Sequence, residues 1–135
     1  MPVNIKKFIF LLVSLLAASC ATVSEPVYFY NEVLIINKSK TLIQDVSISD
    51  SATGRQFSCG NIAPHGICSN RIVKRRYEKN PIRIAWVFGD TARQTSDFVL
   101  EVPEQFDPGR LLRGVLEISP GGRIKAYFQQ SGSLE

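Results

Sequence analysis

Ile82-Arg83-Ile84-Ala85-Trp86-Val87-Phe88 alternates large apolar residues with smaller or charged ones at a period of two. In an extended chain successive side chains point to opposite faces, so Ile82, Ile84, Trp86 and Phe88 line one face and Arg83, Ala85 and Val87 the other. A helix would scatter the same residues around its circumference. The segment therefore reads as a half-buried strand, bounded by Lys79-Asn80-Pro81 on one side and Gly89-Asp90 on the other.

The same pattern and punctuation recur in both directions. Toward the C-terminus, residues 95–102 read as a strand and Phe106-Asp107-Pro108-Gly109 as a turn. Residues 114–118 and 124–128 form a hairpin around Ser119-Pro120-Gly121-Gly122. Toward the N-terminus, residues 68–77 leave the loop Ala63-Pro64-His65-Gly66, and residues 55–61 carry Phe57 and Cys59 on one face. Beyond the turn Ala52-Thr53-Gly54, residues 43–49 set Val46 and Ile48 against Asp45, Ser47 and Ser49, and residues 33–37 are an apolar run of strand length. No stretch between residues 20 and 135 shows a capped pattern at helical spacing. About seven or eight short strands predict an all-β domain, a small antiparallel β-sandwich with a small β-barrel as the alternative.

Residues 1–19 have a different character. Lys6 and Lys7 make a positive start, residues 8–18 are apolar but for Ser14, and Ala17-Ala18-Ser19-Cys20 places small residues before a thiol. The apolar run covers about half of the ~20 residues that a bilayer core requires, so it is the core of a signal peptide. Ala17-x-Ser19 also satisfies an ordinary secretory cleavage site. The cysteine at the cleavage position resembles the lipobox of bacterial lipoproteins, with Ala17 where that family usually has leucine. The resemblance covers these residues alone. It implies a diacylglyceryl thioether on Cys20, cleavage between Ser19 and Cys20, and acylation of the new N-terminus. Two or three acyl chains, at ~0.8 kcal/mol per buried methylene, anchor a protein firmly. The expected location is the bacterial cell envelope, facing the periplasm. Ala21, in place of the aspartate that retains some enteric lipoproteins at the inner membrane, favours the outer membrane.

The expected organisation is a signal peptide over 1–19, a lipidated tether over 20–30 containing Pro26, a β-sandwich over 31–130 and a flexible tail over 131–135. Cleavage leaves 14 Lys and Arg against 12 Asp and Glu, so the net charge falls from +4 to +2. That balance is no nucleic-acid signature, and no nucleic-acid partner is expected. A chain of this size is one domain with one ordinary core.

With Cys20 assigned to lipid, Cys59 and Cys68 remain, an even pair in an oxidising compartment, and they are expected to form a disulfide. Closing so short a loop contributes about 2.7 kcal/mol in the chain-entropy account. His65 lies between them and raises a metal or redox alternative. Two thiols and one imidazole leave a tetrahedral ion one ligand short, and Cys-x8-Cys is neither a zinc nor a redox spacing, so no metal and no cofactor are expected. Trp86 following two cysteines invites comparison with immunoglobulin domains. There the cysteines bracket the tryptophan and bridge the sheets, whereas here both precede it and their closeness predicts a tie between neighbouring segments.

Arg71, Lys74, Arg75, Arg76, Lys79 and Arg83 are the one concentration of charge outside the signal peptide. Strand alternation sets Lys74 and Arg76 on one face and Arg75 on the other, with Val73 and Tyr77. Such a strip has two readings: a binding surface for lipid headgroups, lipopolysaccharide phosphates or an acidic protein, and a charged edge that blocks sheet-to-sheet aggregation. Tyr127 is expected to face outward with Lys125 and Gln129, opposite Ile124, Ala126 and Phe128. Arg71, Lys74, Arg76, Lys79 and Tyr127 are thus the candidate partner-binding residues.

Catalytic constellations are weak. His65 is the single histidine and sits in a loop; no Ser-His-Asp set can be built around it. Asp97 with Glu101, or Glu101 with Glu104, read as solvated strand-end carboxylates, and no glycine loop joins a strand to a helix to cradle phosphate. Asn37-Lys38-Ser39 spells a glycosylation sequon that bacterial export makes irrelevant. The expectation is a non-catalytic, lipid-anchored binding or structural module of the periplasm, contacting the membrane through Cys20 and an envelope protein or polymer through its domain. The alternative is an inhibitor or accessory subunit of an envelope enzyme. Small lipoproteins that inhibit lysozyme are similar in size, anchor and β content, and Ser131-Gly132-Ser133 resembles the serine-glycine element they insert into the enzyme. A basic strip would oppose docking to a basic lysozyme.

Overall fold

An alternating strand needs a second layer to bury its apolar face, and this chain supplies one by dividing its strands between two sheets. The computed structural model describes residues 24–134; the expected signal peptide and Cys20 lie outside the described residues. The strands are β1 (Phe29–Asn37), β2 (Ile43–Asp50), β3 (Gln56–Ile62), β4 (Ile67–Arg76), β5 (Ile82–Phe88), β6 (Thr91–Gln94), β7 (Arg110–Ile118) and β8 (Ile124–Ser133). One sheet has the order β4-β1-β7-β8 and the other β3-β2-β5-β6. Both are open, so the architecture is a β-sandwich and not a closed barrel. Pairing is antiparallel except between β1 and β7, which run parallel. The chain reaches β7 only after crossing to the second sheet and back twice, which frees it from the direction a hairpin would impose.

The core is the meeting of the two inner faces. Ile35, Leu116 and Ile118 from the first sheet pack on Ile43, Val46, Ile48, Ile62, Ile84 and Trp86 from the second. Each such side chain contributes roughly 1.5–3 kcal/mol by leaving water. A smaller cluster of Tyr28, Leu100, Leu112 and Phe128 closes one end.

Bulges reset the alternation where the sequence breaks it. Ile43 and Val46 are both buried although three residues apart. Ile43 pairs with Ile62 and Val46 with Gly60, while Gln44 pairs with Val87 and Ser47 with Ala85, so β2 carries one extra residue against both neighbours. Asp45, at φ 51°, lies in that extra stretch. A larger irregularity sits in β4, where Glu32 pairs with Arg71 but Tyr30 pairs with Arg75. The surplus residues turn Val73 outward to 83 % exposure, away from the face it was expected to share with Arg75 and Tyr77.

Four further expectations are corrected. Residues 95–102 form no strand; Phe98 alone bridges Ile82, and β5 pairs instead with β6 across Gly89 and Asp90. All four residues of β6 are exposed, so no apolar alternation marked it. The domain begins before residue 31, inside the span expected as tether, because Tyr28 is buried and β1 starts at Phe29. The tail is shorter than 131–135, because β8 continues to Ser133, which pairs with Arg110. Finally, the Cys59–Cys68 disulfide forms, with Cα atoms 6.0 Å apart, but it joins the edge strands of different sheets and so bridges the sandwich. The loop between them is a corner, turned by His65 at φ 58° with the Gly66 amide donating to the Ala63 carbonyl at 2.8 Å.

Asn37 holds that corner from inside. Its buried Nδ2 donates to the carbonyls of Thr41 at 2.8 Å, Ile62 at 3.1 Å and Ala63 at 3.1 Å. Its Oδ1 accepts from the Ser39 amide at 2.9 Å and the Ser39 hydroxyl at 2.7 Å.

Candidate functional site

The inward positions of β7 are Leu112, Gly114, Leu116 and Ile118, a row of large side chains with one missing. A Cβ at Gly114 would lie 3.8 Å from Val33 Cγ2 and 3.9 Å from Phe128 Cε1, ordinary van der Waals distances. Gly114 is also absent from the residues at positive φ. Neither crowding nor backbone conformation requires glycine here. Its effect is a gap in the inner face, and glycine inside a strand often marks a place that something else approaches closely.

Opposite this gap the sheets part to leave a cavity of about 280 Å³. Val33, Leu116 and Phe128 wall it from the first sheet and Ile48, Phe57 and Ile82 from the second. An engineered cavity of roughly 150 Å³ lined by Leu, Ile and Phe stays dry and takes up benzene; the space here is nearly twice that size, shared between these apolar walls and a polar mouth. Tyr77 stands in the wall, edge-on to Phe128 at 4.9 Å and to Tyr30 at 6.3 Å. Its hydroxyl donates to the Leu100 carbonyl. Burial, reinforced by the Glu101 charge, pushes the phenol up to about 12, so it stays neutral.

The mouth has a different chemistry. Arg55 and Arg76 are exposed there beside the half-buried Arg75, with Glu78 and Asp50 on the same rim. Asp50 is engaged by its own turn: its carboxylate accepts from the Ala52 amide at 2.9 Å, the Thr53 amide at 3.0 Å and Asn80 Nδ2 at 3.0 Å. Burial pushes this carboxyl up, but those hydrogen bonds outweigh it and hold the group below its ordinary range. Among the described residues none of the three arginines is in an ion pair.

The residues expected to bind a partner are dispersed. Arg71 Nε lies 3.8 Å from Glu32 Oε1 on the outer face, and Lys79 Nζ lies 3.8 Å from Glu25 Oε2. Lys74 Nζ sits 5.5 Å from the Phe29 ring centroid and 3.4 Å from the Leu134 carbonyl oxygen. Tyr127 donates to Glu117 Oε1 at 3.2 Å under Lys125, whose Nζ is 5.3 Å from its ring centroid. Desolvation and the Glu117 charge raise its phenol. Only Arg76 of the five reaches the cavity. The sequence reading did not single out Gly114, Phe57 or Arg55 as a site, although a glycine at an inward strand position with no turn beside it was a usable signal.

Other candidates are placed elsewhere. Asp97 accepts from Arg83 Nε and Ser51 Oγ, both at 2.9 Å. Ser131-Gly132-Ser133 lies within β8 and does not project as a loop. Among the described residues no three His, Cys, Asp or Glu side chains gather as a metal-binding group. No protein-family model, curated protein or solved structure matches the chain.

Proposed function

We propose that the chain is a non-catalytic binding module of the bacterial envelope, anchored through lipid on Cys20 at the periplasmic face of the outer membrane, and that its binding site is the cavity between the sheets. The observation that carries this reading is Gly114, which leaves space open on the inner face of β7 against apolar walls from both sheets. Concave, largely apolar sites with a few polar groups at the rim are the usual form of small-molecule pockets. The charged groups at this rim include guanidiniums, which bind anions but do not exchange protons near neutral pH. Such a site favours holding a molecule over transforming it.

The experiment is recovery of the occupant. The full chain, processed in its host and captured from envelopes, is extracted with organic solvent and compared with Gly114→Leu purified in the same way. A small molecule enriched with the wild type and missing from the variant is the expected result. Equal recovery from both would remove the cavity as the binding site.

A further inference from the structure

We infer that the occupant is a single-chain fatty acid taken from the membrane that carries the anchor, its alkyl chain between the sheets and its carboxylate at the arginine rim; this rests on the cavity being the binding site. Size sets the first limit. Scaled from the cavity that takes benzene, about 280 Å³ accommodates at most on the order of ten to twelve carbons, one chain and not the paired chains of a phospholipid.

Charge sets the second. Arg55, Arg75 and Arg76 face Asp50 and Glu78, which leaves the rim with one net positive charge. That balance matches a monoanion. Guanidinium and carboxylate geometries allow paired hydrogen bonds, and a phosphate monoester would bring about twice the charge the rim can neutralise.

Position sets the third. Phe29, the first residue of β1, pairs with Arg76 at the rim, and the Tyr77 amide donates to the Tyr28 carbonyl at 2.8 Å. The rim is therefore at the end of the sandwich where the tether enters. Seven residues lie between Cys20 and Tyr28, a reach of at most ~30 Å, so the start of the sandwich stays within that distance of the acyl anchor. A molecule leaving the bilayer has at most about that distance to cross.

The test uses the full lipidated chain in phosphatidylcholine vesicles. Trp86 is the single tryptophan, and it lies 4 % exposed in the core that Ile48 and Ile82 share with the cavity wall. Energy transfer from Trp86 to a twelve-carbon fatty acid carrying a conjugated tetraene reports occupancy, and dodecanoate, dodecanol and dodecyltrimethylammonium compete for it. Dodecanoate should displace the probe at about tenfold lower concentration than the neutral and cationic analogues, the worth of a partly solvated charge-assisted hydrogen bond. Arg55→Gln, Arg75→Gln and Arg76→Gln combined should erase that preference. Gly114→Leu should abolish transfer, and Gly114→Ala, which adds only an ordinary contact, should lower it without threatening the fold. If the three competitors act alike while Gly114→Leu still abolishes transfer, the fatty-acid assignment is overturned and the cavity remains the site. Equal transfer in wild type, Gly114→Ala and Gly114→Leu would overturn both.

Discussion

Replacing Glu32 with glutamine removes a charge while keeping its shape, at the point where three strands are held together. Glu32 is 7 % exposed, on the outer face of its sheet. Oε2 accepts from Arg113 Nε of β7 at 2.7 Å and Oε1 from the Ser69 hydroxyl of β4 at 2.8 Å. Arg71 stands at 3.8 Å, too solvated to weigh much. Burial pushes the Glu32 carboxyl up; the hydrogen bonds from Ser69 and Arg113 and the charges of Arg113 and Arg71 together outweigh it and hold the group below its ordinary 4.5. Removing one partner of a fully buried pair costs roughly 3–5 kcal/mol. Because Arg113 is 32 % exposed and glutamine can keep the Ser69 bond, the expected loss for Glu32→Gln is about 2 kcal/mol.

The sign of the pH dependence follows from the lowered value. A carboxylate whose folded pKa is depressed adds stability that is fully present above 4.5 and disappears as pH falls through the folded value. Urea unfolding followed by Trp86 fluorescence, from about pH 7 to about pH 3, should show the two proteins about 2 kcal/mol apart at neutral pH and converging in acid. Asp50 is also held low, but it gives both proteins the same acid slope, so only the difference between them belongs to Glu32. Equal stability at pH 7, or a gap that does not narrow in acid, would refute the account.

Three other outcomes are expected. Replacing Cys59 and Cys68 with serine should lower stability by about 2–3 kcal/mol, and mass spectrometry of the unreduced wild type should find neither thiol open to alkylation. Asn37→Ala removes one donor each from the Thr41, Ile62 and Ala63 carbonyls and the acceptor of the Ser39 amide and hydroxyl; a loss of about 2–4 kcal/mol is expected, with faster amide exchange around residues 62–66. Cys20→Ala should end metabolic labelling with a fatty-acid analogue, and labelling that survives would move the anchor to another residue.

What the sequence disclosed depended on periodicity. Ile82 to Phe88 alternates without interruption and forms β5 with the expected bounds, and the hairpin of β7 and β8 was marked by Gly121 and Gly122. β6 was invisible because Thr-Ala-Arg-Gln has no buried face to write a pattern. Residues 95–102 looked like a strand because Phe98 and Leu100 are apolar, yet Phe98 packs against the core and Leu100 belongs to the end cluster. Asn37 spelled a sequon and proved to be the internal brace of the corner, a role set by carbonyls 25 and 26 residues away. The basic strip was legible as charge, but the surplus residues in β4 decided which of its members turn toward the cavity, and no local pattern records a bulge of that size.

The cavity carries a stability cost that mutation should reveal. Glycine inside a strand is roughly 0.5–1 kcal/mol less favourable than alanine, and here nothing in the backbone or the surroundings demands it. The disulfide offsets that deficit: Cys59 lies two residues from the cavity-lining Phe57, and its bond to Cys68 ties the edge strands of the two sheets together. Gly114→Ala should therefore raise the urea midpoint by an amount equivalent to about 0.5–1 kcal/mol while weakening uptake of an apolar probe. A residue that is a packing flaw without function would show the gain in stability and no loss of binding. A residue kept for its fold alone would lose stability on substitution. Only a position that gives up stability to keep space open shows both changes at once.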